Sequence, residues 1–156
     1  MPDTVDDVVE HLVSLGLAAR EDLVPCSATE IEEIRAVQRV PALPGQYVDF
    51  LRTMGRSAGR FLRGSDFFYP QLVELVEEAR DLLAENDVAH LMLPGSVVVG
   101  LHQGYQVYWM EPGEPSGRVH WYDEGEESVT RSWPSLVDFL VAQADEQKRV
   151  IDTYRL

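Results

Sequence analysis

The segment RVHWYDEGEESVTRSW (118–133) gathers Asp123, Glu124, Glu126 and Glu127 around Gly125, with Trp121, Tyr122 and Trp133 beside them. Paired carboxylates do general acid and base work when one of them lies in an apolar pocket, so that their pKa values separate. Carboxylates adjacent at a hairpin tip are hydrated alike, and the expectation is a solvated turn. Calcium would ask for alternating oxygen ligands and a distal glutamate, which DEGEE lacks. His11, His90, His102 and His120 are scattered, none of them three or four residues from another, so no metal site is expected. Cys26 has no nearby histidine in sequence, and no serine sits in a G-x-S-x-G elbow. No catalytic residue and no cofactor is therefore expected. A small hydrolase using a carboxylate pair or Cys26 stays as an alternative. Gly55, Gly59 and Gly64, with Arg52, Arg56, Arg60 and Arg63 near them, match neither a P-loop nor a dinucleotide fingerprint. These arginines are expected to answer acidic residues elsewhere in the fold.

Charge narrows the field of partners. The chain has 156 residues and a formal net charge of −14, with 14 acidic and 7 basic residues in 1–78 and 13 and 6 in 79–156. So uniform an acidity repels nucleic acid and anionic membrane surfaces and attracts basic protein. It also maintains solubility without any partner. One cysteine excludes an internal disulfide framework. Nothing before Val8 reads as a basic stretch leading into an apolar one, and no apolar run reaches the ~18 residues of a membrane span. A cytoplasmic, unexported chain that binds neither nucleic acid nor membrane is the expectation. Its length and 45% hydrophobic composition suit one domain over 1–156.

Hydropathy patterning places the elements. Val5, Val8, Val9, Leu12 and Leu15 fall at helical intervals over 4–15, with Asp6 and Asp7 in the first turn and Gly16 as a stop. Ser27 and Glu30 have capping-box spacing before a second helix. Pro44 can open a third, with Tyr47, Phe50, Leu51 and Met54 at i, i+3, i+4 and i+7 and Gly55 closing it in a left-handed conformation. GRFLRGSDFFYP reads as a short strand or extended turn, followed by a helix from Pro70 to about Asn86. Then the period changes to two. SVVVGL and QVYWM form a hairpin about HQGY, and 118–133 forms two more strands joined at Gly125. WPSLVDFLVAQADEQKRV closes the chain as a helix. The fold class is α+β: N-terminal helices, a central antiparallel meander of about four strands, and a C-terminal helix. By alternation, Tyr108 and Tyr122 face away from Trp109 and Trp121, and tyrosine is enriched at the centres of interfaces.

The order of these motifs resembles the SMI1/KNR4 superfamily, also called SUKH. EIEEIRAVQRVPALPGQYVDFLRTMG is similar to that family's entry, with an acidic helix, Leu43–Pro44, a Tyr47-centred helix and Gly55. VVVGLHQGYQVYWM, RVHWYDEGEESVTRSW and WPSLVDFLVAQ resemble its later strands and terminal helix, so the likeness covers about 27–145, with 4–15 as an extension. GRFLRGSDFFYP resembles a bacterial branch. Met54 stands where the family usually has asparagine, and HQGY replaces a glycine-aspartate turn. The resemblance implies a non-enzymatic binding domain like the bacterial immunity proteins, which neutralise a cognate toxin domain, often a basic nuclease. A regulatory scaffold for a host protein in cell-envelope or developmental control is the other implied role. Tyr108, Tyr122, Asp123, Glu124, Glu126 and Glu127 are the residues expected to meet the partner.

Overall fold

Residues 2–155 are described by the structure, a computed structural model. Helix α1 (Val5–Ser14) starts at Thr4, whose hydroxyl accepts from the Asp7 N–H at 3.2 Å while the Asp7 carboxylate accepts from the Thr4 N–H at 3.1 Å. The pair satisfies donors that a helix start leaves without intrahelical partners. After a short β1 (Leu23–Val24), the same device opens α2 (Ala28–Gln38), where Ser27 and Glu30 exchange bonds of 2.9 and 3.2 Å. Glu30 does a second job, because its carboxylate also receives the Arg56 guanidinium, which lies 5.0 Å over the Tyr69 ring. Arg56 thus answers an acidic residue elsewhere in the fold, as expected, whereas Arg52, Arg60 and Arg63 have no ion-pair partner among the described residues.

Helix α3 (Gly45–Met54) buries Tyr47, Phe50, Leu51 and Met54, the predicted stripe. Gly55 is needed for another reason than the expected one. Its φ of −63° is right-handed, and an added Cβ would stand 2.5 Å from Cys26 Sγ and 2.7 Å from the Leu51 carbonyl oxygen. Close packing, not backbone handedness, requires the glycine. Strand β2 (Ser57–Ala58) then pairs antiparallel with β1, a small sheet that periodicity did not reveal because each strand has two residues. Helix α4 (Gln71–Glu85) follows Pro70.

The four-stranded sheet runs in sequential order through β3 (Val97–His102), β4 (Gln106–Met110), β5 (Val119–Asp123) and β6 (Arg131–Trp133), and α5 (Leu136–Tyr154) closes the chain. This is the expected α+β layout. Strand β6 is shorter than the alternation from Ser128 predicts, because pairing with β5 begins only at Trp121 opposite Arg131. The join at Gly125 is therefore a loop over 124–130 and not a tight turn.

Register decides which side chains share a face, since residues directly opposite in an antiparallel pair point the same way. Gly100, Tyr108, Trp121 and Arg131 lie in one row; Trp109, His120 and Ser132 lie in a row on the other face. A Cβ at Gly100 would run into the Phe67 ring. Phe67 instead lies flat there, 5.2 Å from Tyr108 and 5.9 Å from Phe139 of α5, while Trp133 meets Phe139 edge-on at 4.9 Å. These contacts fasten the terminal helix to the sheet.

The free edge of β3 is covered by other means. Gln38 Nε2 donates to the Val98 carbonyl at 2.6 Å, and the Val98 N–H donates to Gln38 Oε1 at 2.9 Å, so one side chain replaces a neighbouring strand. Farther along, Asp66 and Leu101 exchange backbone bonds of 2.8 and 3.2 Å. Gln38 is 1% exposed, so removing its amide leaves two buried backbone groups without partners. Gln38→Ala should cost about 2–4 kcal/mol in urea unfolding; an unchanged midpoint would mean that water replaces the amide. A second outcome concerns acid. Arg56 and the Ser27 N–H hold the Glu30 carboxyl down at about 2, from 4.5. A depressed carboxyl contributes its stability fully above 4.5 and loses it as pH falls through about 2. Glu30→Gln should flatten that part of the stability profile, and a profile identical to that of the parent chain would assign the acid sensitivity elsewhere.

Candidate functional site

Two loops and a helix end meet at one end of the sheet. The β3–β4 turn is made by Gln103 and Gly104, both with positive φ, and the Glu124 N–H donates to the Tyr105 carbonyl at 2.9 Å, which docks the β5–β6 loop on that turn. The Gly125 N–H donates to Asn86 Oδ1 at 3.0 Å and so brings the end of α4 alongside. Glu85, Asp87, Glu124, Glu126 and Glu127 are exposed here together with Tyr105, and among the described residues none of these five carboxylates has an ion-pair partner. Like charges held this close raise the local negative potential.

The expected contact residues separate into two groups. Glu124, Glu126 and Glu127 stand in solvent at the loop. Asp123 is half-buried and already engaged, accepting from Gln106 Nε2 at 2.8 Å and from Thr130 Oγ1 at 2.9 Å, so that it staples the loop to β4. Tyr122 corrects the sequence reading. Tyr122 is wholly buried and its hydroxyl donates to the Glu126 carbonyl at 2.6 Å, which places it beneath the acidic loop and out of a partner's reach. Tyr108 is 6% exposed, on the opposite face, and burial pushes its phenol up to about 12. The Tyr108 row is only partly covered, with Trp121 half-buried and Arg131 exposed. Tyr105, in the turn, is the aromatic residue left exposed at this end.

A cleft of about 550 Å³ lies between the Tyr108 face and the Ala142–Glu146 stretch of α5. Phe67, Tyr108, Trp121 and Trp133 wall it. Trp121 stacks on Tyr108 at 6.1 Å and 18°, and Arg131 lies 5.0 Å over the Trp133 ring. His102, at one side, pairs its Nδ1 with Ser65 Oγ at 2.7 Å. Periodicity puts Tyr108 and Trp121 in strands; only register brings them together, and no local signal announces α5 as the opposing wall.

From the residue just after β4 across β5 to β6, Glu111 Oε1, His120 and Ser132 Oγ form a hydrogen-bonded row, with 2.7 Å at His120 Nε2 and 2.6 Å at His120 Nδ1. The Trp109 ring lies 5.6 Å from the imidazole. The row saturates polar atoms on a half-buried sheet margin, a cross-strand ladder that sequence spacing could not disclose. Cys26 is buried, and burial, with Glu30 second, pushes its thiol up to about 11, against the lowering influence of Arg56. A protonated, enclosed thiol is a poor nucleophile. Among the described residues no group of three or more His, Cys, Asp or Glu is placed to hold a metal, and no helix is long and apolar enough to cross a membrane.

Native Cys26 should react with iodoacetamide at pH 8 roughly a hundredfold more slowly than the chain in urea, since thiolate is the attacking species. Labelling followed by mass spectrometry reads this, and rapid native labelling would restore Cys26 as a candidate nucleophile. No family model matches the chain, and neither the curated proteins nor the solved structures contain a match to it.

Proposed function

We propose that this chain is a non-enzymatic, cofactor-free binding module that captures a basic protein, in the manner of a bacterial immunity protein neutralising a toxin domain. The observation that carries the reading is the acidic sheet end. Five exposed carboxylates, none of them ion-paired among the described residues, are collected from α4 and the β5–β6 loop in a chain of net charge −14. Some acids elsewhere serve structure, Glu30 on Arg56, Asp7 on the start of α1 and Asp123 on Gln106 and Thr130, while others such as Glu10, Glu21, Glu74 and Glu78 are exposed and likewise without an ion pair among the described residues. A surface of one sign steers a basic partner into encounter and raises association rates by roughly tenfold to a thousandfold at low salt. The likeness of motif order to the SUKH superfamily supports the same conclusion, and the aromatic Tyr105 gives the acidic end an apolar contact of the type interfaces favour.

The partner, recovered from the source cell by crosslinking, supplies the test. If it is a toxin domain such as a nuclease, an equimolar amount of this chain should abolish its activity. Reversing Glu124, Glu126 and Glu127 to lysine should slow association by at least about tenfold in low salt and weaken its salt dependence, with dissociation changed less. Stopped-flow mixing separates the two rates. Association unaffected by the triple reversal would remove the acidic end from the encounter surface.

A further inference from the structure

We propose that the cleft between the Tyr108–Trp121 face and α5 is a socket for an uncharged aromatic side chain of that partner, carried on a basic segment whose cations meet the acidic sheet end. The inference rests on the binding reading above and adds to it the chemistry of the anchor. At about 550 Å³ the cleft falls inside the roughly 300–1,000 Å³ of ordinary binding pockets. Trp121 is its half-buried aromatic wall, beside the edges of the buried Phe67, Tyr108 and Trp133, and polar side chains such as Gln106 and Gln143 complete the lining. Trp121 is held by its stack on Tyr108, and Tyr108 by Phe67 and Phe139 at 5.2 and 5.5 Å. Rigid aromatic walls cost little ordering when a guest enters, and a buried anchor in such a pocket dominates the energy of an interface.

Charge selects a neutral guest. The cleft opens beside Arg131 and Glu146, both exposed, and each is committed elsewhere. Arg131 covers the Trp133 ring, and Glu146 holds Arg149 with bonds of 2.6 and 2.9 Å. A charged guest would have to lose its water and displace one of these; an aromatic ring displaces only water. Orientation can come from His102, whereas the Gln106 amide is engaged at both ends, by Asp123 and by the Tyr108 hydroxyl. His102 uses Nδ1 on Ser65, and Nε2 has no hydrogen-bond partner among the described residues. Gln106 also links the two surfaces, because the side chain that lines the cleft donates to Asp123, where the acidic loop begins. The cleft and the foot of the acidic loop are therefore neighbours.

The test needs no natural partner. Acetyl-Lys-Lys-Phe-Lys-Lys-amide, the same peptide with alanine for phenylalanine, and N-acetylphenylalaninamide are titrated into ¹⁵N-labelled protein. The tryptophan indole N–H resonances are followed. The phenylalanine peptide should shift Trp121 and Trp133 saturably, leave the fully buried Trp109 on the opposite face unmoved, and bind roughly tenfold more tightly than either other probe. Ala142→Trp, on the cleft wall of α5, should reduce it to the level of the alanine peptide; Gln143→Trp is a second plug should the first misfold. The reversed Glu124, Glu126 and Glu127 variant should still bind N-acetylphenylalaninamide while losing the preference for lysine flanks. No saturable shift at Trp121 and Trp133, or binding that survives both plugs, overturns the socket. N-acetylphenylalaninamide binding as well as the peptide would make this a small-molecule pocket and overturn the partner anchor. A peptide with glutamate in place of all four lysines that binds as tightly as the lysine peptide, both more tightly than N-acetylphenylalaninamide, would sink the acidic docking surface instead.

Discussion

A sheet edge buried inside a protein must have its N–H and C=O groups paired, and the outer edge of β3 is where this chain meets that demand. Gln38 serves Val98 and Asp66 serves Leu101, so a residue from the end of α2 and one from the loop before α4 stand where a fifth strand would be. Much else follows from those two anchorages. Arg80 of α4 donates to the Gln38 carbonyl at 3.1 Å and is drawn to the same corner. Asp66 sets the position of Phe67, and Phe67 occupies the space that Gly100 leaves empty. From Phe67 the contacts pass to Tyr108, Phe139 and Trp133, and so to the seat of α5 and the walls of the cleft.

Part of the chain's acidity is used structurally. Carboxylates at helix starts and in the Glu30–Arg56 clamp are bound to specific donors, and donors on Asp7 and Glu30 hold those carboxyls below their ordinary range. Those on the β5–β6 loop are not. The loop keeps its shape through the Tyr122 hydroxyl on Glu126, the Asn86 side chain on Gly125 and the Asp123 staple, bonds that do not consume the charge of Glu124, Glu126 or Glu127. A concentration of like charge destabilises its surroundings, and here the surrounding backbone is held by hydrogen bonds that do not neutralise it. The arrangement presents charge to solvent on a supported frame. Beside it lies a cleft whose own charges are occupied, so the two surfaces differ in what they can receive.

Much of this fold was legible in the residues. Helix starts were visible because capping is local: Ser27 and Glu30 are three positions apart, and each satisfies the other's backbone. The buried stripe of α3 was visible because 3.6-residue periodicity needs only the helix itself. The hairpin about HQGY could be read from period-two alternation. At Gly55 the sequence points to handedness, because the neighbour that excludes a Cβ, Cys26 Sγ, lies in a distant loop that local spacing cannot reveal. At Gly125 local spacing predicts only a turn, because the residues that make a longer loop stable, Asn86 and Tyr122, act from the cap of α4 and from beneath.

The site divides along the same line. Composition and patterning alone established an acidic chain with helices at both ends, a meander between them, and charged residues at the tip of its last hairpin. Alternation could say that Tyr108 and Trp109 point opposite ways, since that is a property of one strand. It could not say that Trp121 lies opposite Tyr108, that Tyr122 belongs with Trp109, or how far each face would be covered, since register and layer packing are long-range. Tertiary structure alone decided that the tyrosines are buried, that Asp123 is a staple, and that an aromatic cleft stands beside the acid. Local spacing governs which way a side chain points; only packing determines what, if anything, it meets.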